Sequence, residues 1–122
     1  MPPRLLLVDD SPVVRRSLRT YIEAQTDWEI CGEAENGKRA VEMAQTLSPD
    51  VIVLDLTMPV MNGLDAARQI RKISHSVYII LFTMHASAQL AAEAQKGGVN
   101  QVLPKSAGAS RLLSAVRSSL DA

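Results

Sequence analysis

A single cysteine, Cys31, rules out an internal disulfide. A lone cysteine in a strand-like segment is expected to serve as a small buried hydrophobe rather than as a reactive thiol. That usage suits a reducing, cytoplasmic setting. Charge of one sign is missing too: 13 Lys and Arg meet 13 Asp and Glu, so the chain has none of the positive excess that attraction to a phosphate backbone requires. Nucleic-acid binding by this domain alone is not expected. No apolar run approaches the ~18–20 residues needed to span a bilayer, and the stretch at residues 5–8 is cut off by Asp9 before it could form a signal-peptide core. No membrane contact is expected. Internal repeats, low-complexity tracts and linker-like segments are also missing.

What is present is enough apolar material for one core. With 47% hydrophobic and 21% charged residues, the 122 residues read as one globular domain over 1–122.

Five short apolar runs alternate with five amphipathic stretches. Residues 4–8 form an uninterrupted apolar run that ends in two acids, the pattern of a strand buried on both faces. Ser11 and Pro12 suit an N-cap and first helical position, and Val13, Val14, Leu18, Tyr21 and Ile22 then recur at helical spacing to about Ala24. A second strand is expected over residues 28–35, although the Cys31-Gly32 centre makes it irregular, and Asn36-Gly37 closes it. A helix over residues 38–47 carries Ala40, Val41, Ala44 and Leu47 on one face, and a third strand over 51–54 ends at Asp55.

Pro59, Asn62 and Gly63 mark a loop into a third helix with Leu64, Ala67, Ile70 and Ile73 on its apolar side. A fourth strand at 77–82 ends at Thr83, and an alanine-rich helix at 86–96 stops at Gly97-Gly98. A short fifth strand, 101–103, leads to Lys105, and a last helix at 110–120 aligns Leu112, Leu113, Val116 and Leu120. Strict alternation of this kind predicts an α/β domain of the flavodoxin-like, doubly wound type: a five-stranded parallel sheet with helices on both faces. The strand order 2-1-3-4-5 is taken from the precedent of such sheets.

The polar residues at the strand ends carry the chemistry. Asp9 and Asp10, Asp55, Thr83 and Lys105 follow the first, third, fourth and fifth strands at the carboxyl side, where open parallel sheets form their ligand crevice. Each alone has an ordinary explanation: an acidic pair at a helix N-terminus, a loop acid, a strand-end hydroxyl, a solvated lysine. Their coincidence at matching strand ends does not. Carboxylates crowded together repel one another, and a hard divalent cation bound through oxygen relieves the repulsion. Magnesium is the expected ion.

These residues resemble the receiver domain of bacterial two-component response regulators over nearly the whole chain. Leu5-Leu6-Leu7-Val8-Asp9-Asp10-Ser11 is similar to that family's first strand and acidic pair. Asp50-Val51-Ile52-Val53-Leu54-Asp55-Leu56-Thr57-Met58-Pro59-Val60-Met61-Asn62-Gly63 is similar to its phosphoacceptor strand and loop. The wording of that loop is most like receivers that precede a helix-turn-helix output domain. The resemblance implies that Asp55 takes a phosphoryl group from the phosphohistidine of a sensor histidine kinase or phosphotransfer protein. It implies further that Asp10, Asp55 and the Thr57 carbonyl bind magnesium directly and Asp9 through water, with Lys105 and the Thr83 hydroxyl on the phosphoryl oxygens. Such a domain is a signalling phosphoacceptor that assists its own phosphorylation and dephosphorylation, not an enzyme acting on a separate substrate. Thr83 is expected to draw residues 84–88 toward the new phosphoryl group. The face formed by the fourth helix, fifth strand and fifth helix would then change where a partner or a second copy docks.

Three positions depart from the common pattern of that family. Val102 stands where many receivers carry Tyr or Phe, Met84 stands where a small residue is usual and would narrow access to the site, and Ser106 replaces the common Pro after Lys105, leaving the isomer of that bond open. Other functions fit less well. A dehalogenase-type phosphoaspartyl enzyme would need a second Asp where Thr57 stands to protonate the leaving group, and a flavodoxin-like nucleotide site would need a glycine-rich loop where Asp9-Asp10-Ser11-Pro12 stands. A receiver-like module that binds partners without being phosphorylated differs only in its chemistry.

Overall fold

The order of elements in the computed structural model, which describes residues 1–121, is β1 (Arg4–Val8), α1 (Pro12–Gln25), β2 (Glu29–Ala34), α2 (Gly37–Leu47), β3 (Val51–Leu54), α3 (Gly63–Ile73), β4 (Tyr78–Thr83), α4 (Ala88–Lys96), β5 (Gln101–Pro104) and α5 (Gly108–Asp121). Of the domain expected over 1–122, Ala122 lies outside the described residues. All strand pairs are parallel, in the expected order β2-β1-β3-β4-β5.

Alternation along each strand divides the core in two. Leu6, Val8, Ile52, Leu54, Ile79 and Leu81 face α2, α3 and α4. Leu5, Leu7, Val51, Val53, Ile80 and Phe82 face α1 and α5. Both faces of the central strands are therefore apolar, which is why their sequences are continuous hydrophobic runs. On the first face the helices approach through small residues, Ala40, Ala44, Ala66, Ala67 and Ala94, whereas α1 and α5 reach the sheet with Leu18, Ile22, Leu112, Leu113 and Val116.

Caps follow the local sequence. The side chains of Ser11, Asn36, Asn62 and Ser87 accept from the backbone N–H of Val14, Arg39, Asp65 and Leu90 at the starts of α1, α2, α3 and α4. The Ser87 cap places the start of α4 two residues later than periodicity predicts, because alanine propensity cannot choose the start when a capping hydroxyl is nearby. Pro104 belongs to β5, an edge strand with no neighbour on its far side. A single 3-10 turn, Lys105–Ala107, then starts α5 earlier than expected.

The irregularity of β2 is a bulge. Leu5 pairs with Ile30 and Leu6 with Gly32, so Cys31 is the extra residue. A side chain at position 32 would come within 2.7 Å of Met43 Cε. Cys31 is half-buried rather than buried, and its thiol donates to the Leu5 carbonyl at 3.3 Å. Burial pushes the thiol up, away from the reactive thiolate form. Two residues assigned to apolar faces are in solvent: Val13 in the first turn of α1 and Ile73 at the last residue of α3. Both lie at helix ends. All peptide bonds among the described residues are trans, Lys105–Ser106 included.

Candidate functional site

Chain order reverses between β1 and β3, the place where open parallel sheets form their ligand crevice. Asp9 and Asp55 directly follow these two strands and are nearly buried. Backbone and side chain fix both of them. Asp9 N–H donates to the Ala34 carbonyl at 3.1 Å, and Asp55 N–H to the Val8 carbonyl at 3.0 Å. One oxygen of each carboxylate accepts from a backbone N–H just downstream: Asp9 Oδ1 from Ser11 at 2.9 Å and Asp55 Oδ1 from Leu56 at 2.8 Å.

The remaining oxygens meet Lys105. Its Nζ donates to Asp9 Oδ2 at 2.6 Å and to Asp55 Oδ2 at 3.3 Å. The bridge joins groups 96 and 50 positions apart in the chain. Burial pushes the Asp55 carboxyl up, the charge of Asp9 adds to it, and Lys105 offsets only part of the effect. Burial alone would lower the Lys105 ammonium, but its bonds and charges with Asp9 and Asp55 outweigh that and hold it above its ordinary value.

Asp10 is different. It is exposed, and its carboxylate accepts no hydrogen bond among the described residues. Oxygens of Asp9, Asp10 and Asp55 nevertheless all lie within 4.8 Å of one another. Oxygens sharing one magnesium ion at ~2.0–2.1 Å stand roughly 3–4 Å apart, so this all-oxygen donor set fits a hard divalent ion with little movement. Thr57 is exposed two residues beyond Asp55, and its carbonyl accepts no hydrogen bond among the described residues. Thr83 is buried at the end of β4, where its hydroxyl makes a long contact, 3.4 Å, with the N–H of His85. Lys105 and the three acids are thus brought together; Thr83 is at the adjacent strand end without a bond to Asp55. Met84, expected to narrow access, is exposed at 71%.

Two glycines hold the loop after Asp55. Gly63 N–H donates to the Leu56 carbonyl at 2.8 Å, and Gly37 N–H to the Met61 carbonyl at 3.0 Å. A Cβ on either would fall within 2.4 Å of a backbone oxygen, that of Asp55 for Gly63 and of Met61 for Gly37. Between them Val60 adopts φ +71° while Met61 N–H donates to the Pro59 carbonyl at 2.7 Å. That is a γ-turn of the strained hand, occupied by a β-branched residue that disfavours it. The sequence showed only that a turn was present. Val60 is exposed at 75%, so Val60→Gly loses little packing. We expect it to raise stability by ~0.5–2 kcal/mol, the strain relieved less the added chain entropy of glycine. A urea midpoint that falls instead would show the turn to be unstrained.

Arg15 and Glu33, which composition and periodicity did not single out, also reach the site: Arg15 Nη1 donates to the Asp9 carbonyl and Nε to Glu33 Oε1 at 3.0 Å.

Comparison with known proteins gives the family and the fold. Residues 5–117 match the family described as response regulator receiver domain. The chain is 33% identical to the response regulator protein VraR of Staphylococcus saprophyticus over 96% of its own length and 56% of that protein's. It is 37% identical to the chemotaxis protein CheY of Thermotoga maritima over 95% and 96%, and 36% identical to the nitrate/nitrite response regulator NarL of Escherichia coli over 94% and 53%. The chain therefore spans about half the length of VraR and NarL and nearly all of CheY. Among solved structures, the response regulator domain of Thermotoga maritima CheB superposes with a TM-score of 0.91 at 32% identity, covering 100% of this chain and 98% of that one. A LuxR-family two-component response regulator from Aurantimonas gives 0.91 at 32% identity over 97% and 84%. No helix among the described residues is long and apolar enough to cross a membrane.

Proposed function

Since the chain belongs to the response regulator receiver domain family of two-component signalling, we propose that Asp55 accepts a phosphoryl group from the phosphohistidine of a sensor histidine kinase or phosphotransfer protein in the cytoplasm. The observation that carries this reading is the Lys105 ammonium bridging Asp55 and Asp9 at the bottom of the acidic crevice. A carboxylate oxygen of Asp55 attacks phosphorus, the P–N bond to the donor imidazole breaks, and an acyl phosphate forms on Asp55 while the imidazole keeps the electron pair. Such transfer depends on alignment and charge neutralisation more than on covalent assistance. Asp55 and Asp9 are aligned by their backbone bonds, and the Lys105 ammonium, bonded to both carboxylates, stands within reach of the phosphoryl oxygens on which charge would develop once phosphorus joins Asp55.

Asp10, Asp55 and the Thr57 carbonyl would hold magnesium directly and Asp9 through water; the ion would neutralise charge between the carboxylates and the phosphoryl oxygens. The same groups would assist the later hydrolysis of the acyl phosphate. The Thr83 hydroxyl, held now by one long bond, would turn to the phosphoryl group and draw residues 84–87 and the start of α4 with it. Val102 is part-buried against the α4 side of the core and is too short and too stiff at χ1 to signal by ring rotation. Displacement of the loop and α4 then alters the α4–β5–α5 face, where a partner or second copy would dock.

Acetyl phosphate with magnesium is expected to add one phosphoryl group to the chain, seen by intact mass, and chelation of the metal should abolish it. Amide NMR shifts on labelling should extend through residues 84–96. A chain that stays unlabelled with magnesium would be a partner-binding module instead, and shifts confined to the crevice would remove the proposed output.

A further inference from the structure

The acid pair is tied down by a charged clamp that the proposed function does not use. Arg15, in the second turn of α1, bonds the Asp9 carbonyl with one arm of its guanidinium and Glu33 of β2 with another. Glu33 is itself shared, since its second oxygen accepts from Arg19 Nε at 2.8 Å. The Arg15 and Glu33 side chains keep 16% and 29% of their exposure, so the pair is partly sheltered from solvent. Burial pushes the Glu33 carboxyl up, but hydrogen bonds from Arg19 and Arg15 outweigh that and hold it below the usual carboxylate range.

The carbonyl that Arg15 holds belongs to the peptide joining Asp9 to Asp10. Its plane sets the direction in which the Asp10 side chain leaves the backbone. Asp9 and Asp55 have anchors on their own carboxylates, from Ser11, Leu56 and Lys105. Asp10 has none among the described residues, so the orientation of that peptide is the constraint that limits where its oxygens can reach. We propose that Arg15, anchored by Glu33, is a positioning residue for cation binding: it fixes the Asp9–Asp10 peptide so that the Asp10 carboxylate meets those of Asp9 and Asp55. This rests on the cation site of the proposed function. Groups behind metal ligands that orient them commonly change affinity by about 10–100-fold when removed.

Electrostatics alone predicts the opposite sign. A guanidinium beside a cation site repels the cation, so deleting the charge should tighten binding. Positioning predicts that it weakens.

Magnesium chloride titrated into the whole chain by calorimetry is expected to show roughly tenfold weaker binding for Arg15→Met. Arg15→Lys keeps the charge but offers a point donor that cannot span both partners, and should resemble Arg15→Met. Glu33→Gln should weaken binding in the wild-type background and have no further effect beside Arg15→Met. Arg4→Met, which breaks the remote Arg4–Glu29 pair, serves as the control: it should lower the melting midpoint and leave magnesium affinity unchanged. If Arg15→Met does not melt cooperatively, Arg15→Lys and Glu33→Gln decide. Unchanged or tighter binding in a folded Arg15 variant, or an equal effect of Glu33→Gln in both backgrounds, overturns the clamp. A wild-type chain that binds no magnesium overturns the cation site as well.

Discussion

Asp55→Asn is expected to reduce acetyl-phosphate labelling to below ~1% of wild type, because a carboxamide has no anionic oxygen to form an acyl phosphate. The substitution is isosteric. Asn Oδ1 can still accept from Leu56 N–H, the bond that Asp55 Oδ1 makes at 2.8 Å, so the loss is chemical rather than conformational. Stability should move the other way. Burial and the neighbouring Asp9 raise the Asp55 carboxyl above its ordinary value, and a raised folded-state value means that the ionised form opposes folding at neutral pH. The neutral variant should therefore melt higher when no metal is present, although Lys105 loses one of its two partners. Intact-mass labelling and melting curves in the presence of a chelator check the two halves. Stoichiometric labelling of Asp55→Asn, with Asp9 and Asp10 unmodified, would place the phosphoacceptor elsewhere.

Gly63→Ala should have the largest structural effect of any methyl addition near the site. The new Cβ would lie 2.2 Å from the Asp55 carbonyl oxygen and 3.0 Å from Asp55 C and Leu56 Cα, all of them backbone. Neither side can turn away, so α3 or the strand end must shift. Better helix propensity offers at most ~1 kcal/mol in return, against overpacking of ~3 kcal/mol or more where backbone is struck. A net loss of ~2–3 kcal/mol is expected in urea unfolding. Labelling should slow by about 100-fold, since displacing Asp55 by an ångström misaligns attack. A folding free energy within ~0.5 kcal/mol of wild type, the usual surface range, would mean that the loop yields freely and Gly63 does not support the nucleophile.

Much of the fold was legible because its determinants are local. Continuous apolar runs announced strands covered on both sides, periodicity announced the helices, and Ser11 and Gly97 punctuated them through capping chemistry that acts over three or four residues, while Asn36-Gly37 announced the end of β2. Where a longer-range partner decided, local rules misplaced details. Ile73 stands in solvent at the end of α3, and β2 takes a bulge at Cys31 where it pairs with β1, whereas the start of α4 was misplaced by a local choice, the Ser87 cap over alanine propensity.

The candidate site divides in the same way. By itself the sequence determined which groups stand at the carboxyl ends of the strands, Asp9, Asp10, Asp55, Thr83 and Lys105, since strand ends are set by hydrophobic runs. The tertiary structure decided their relations. It alone pairs Lys105 with Asp9 more closely than with Asp55, leaves Asp10 in solvent, and turns Arg15 back onto the Asp9 carbonyl. It also requires Gly63 and Gly37 to lie against bare backbone while Val60 bears a strained turn. The physical reason is that hydrophobic periodicity and capping are properties of neighbouring residues, whereas distances among charges and close backbone contacts arise only when segments up to 96 positions apart pack together.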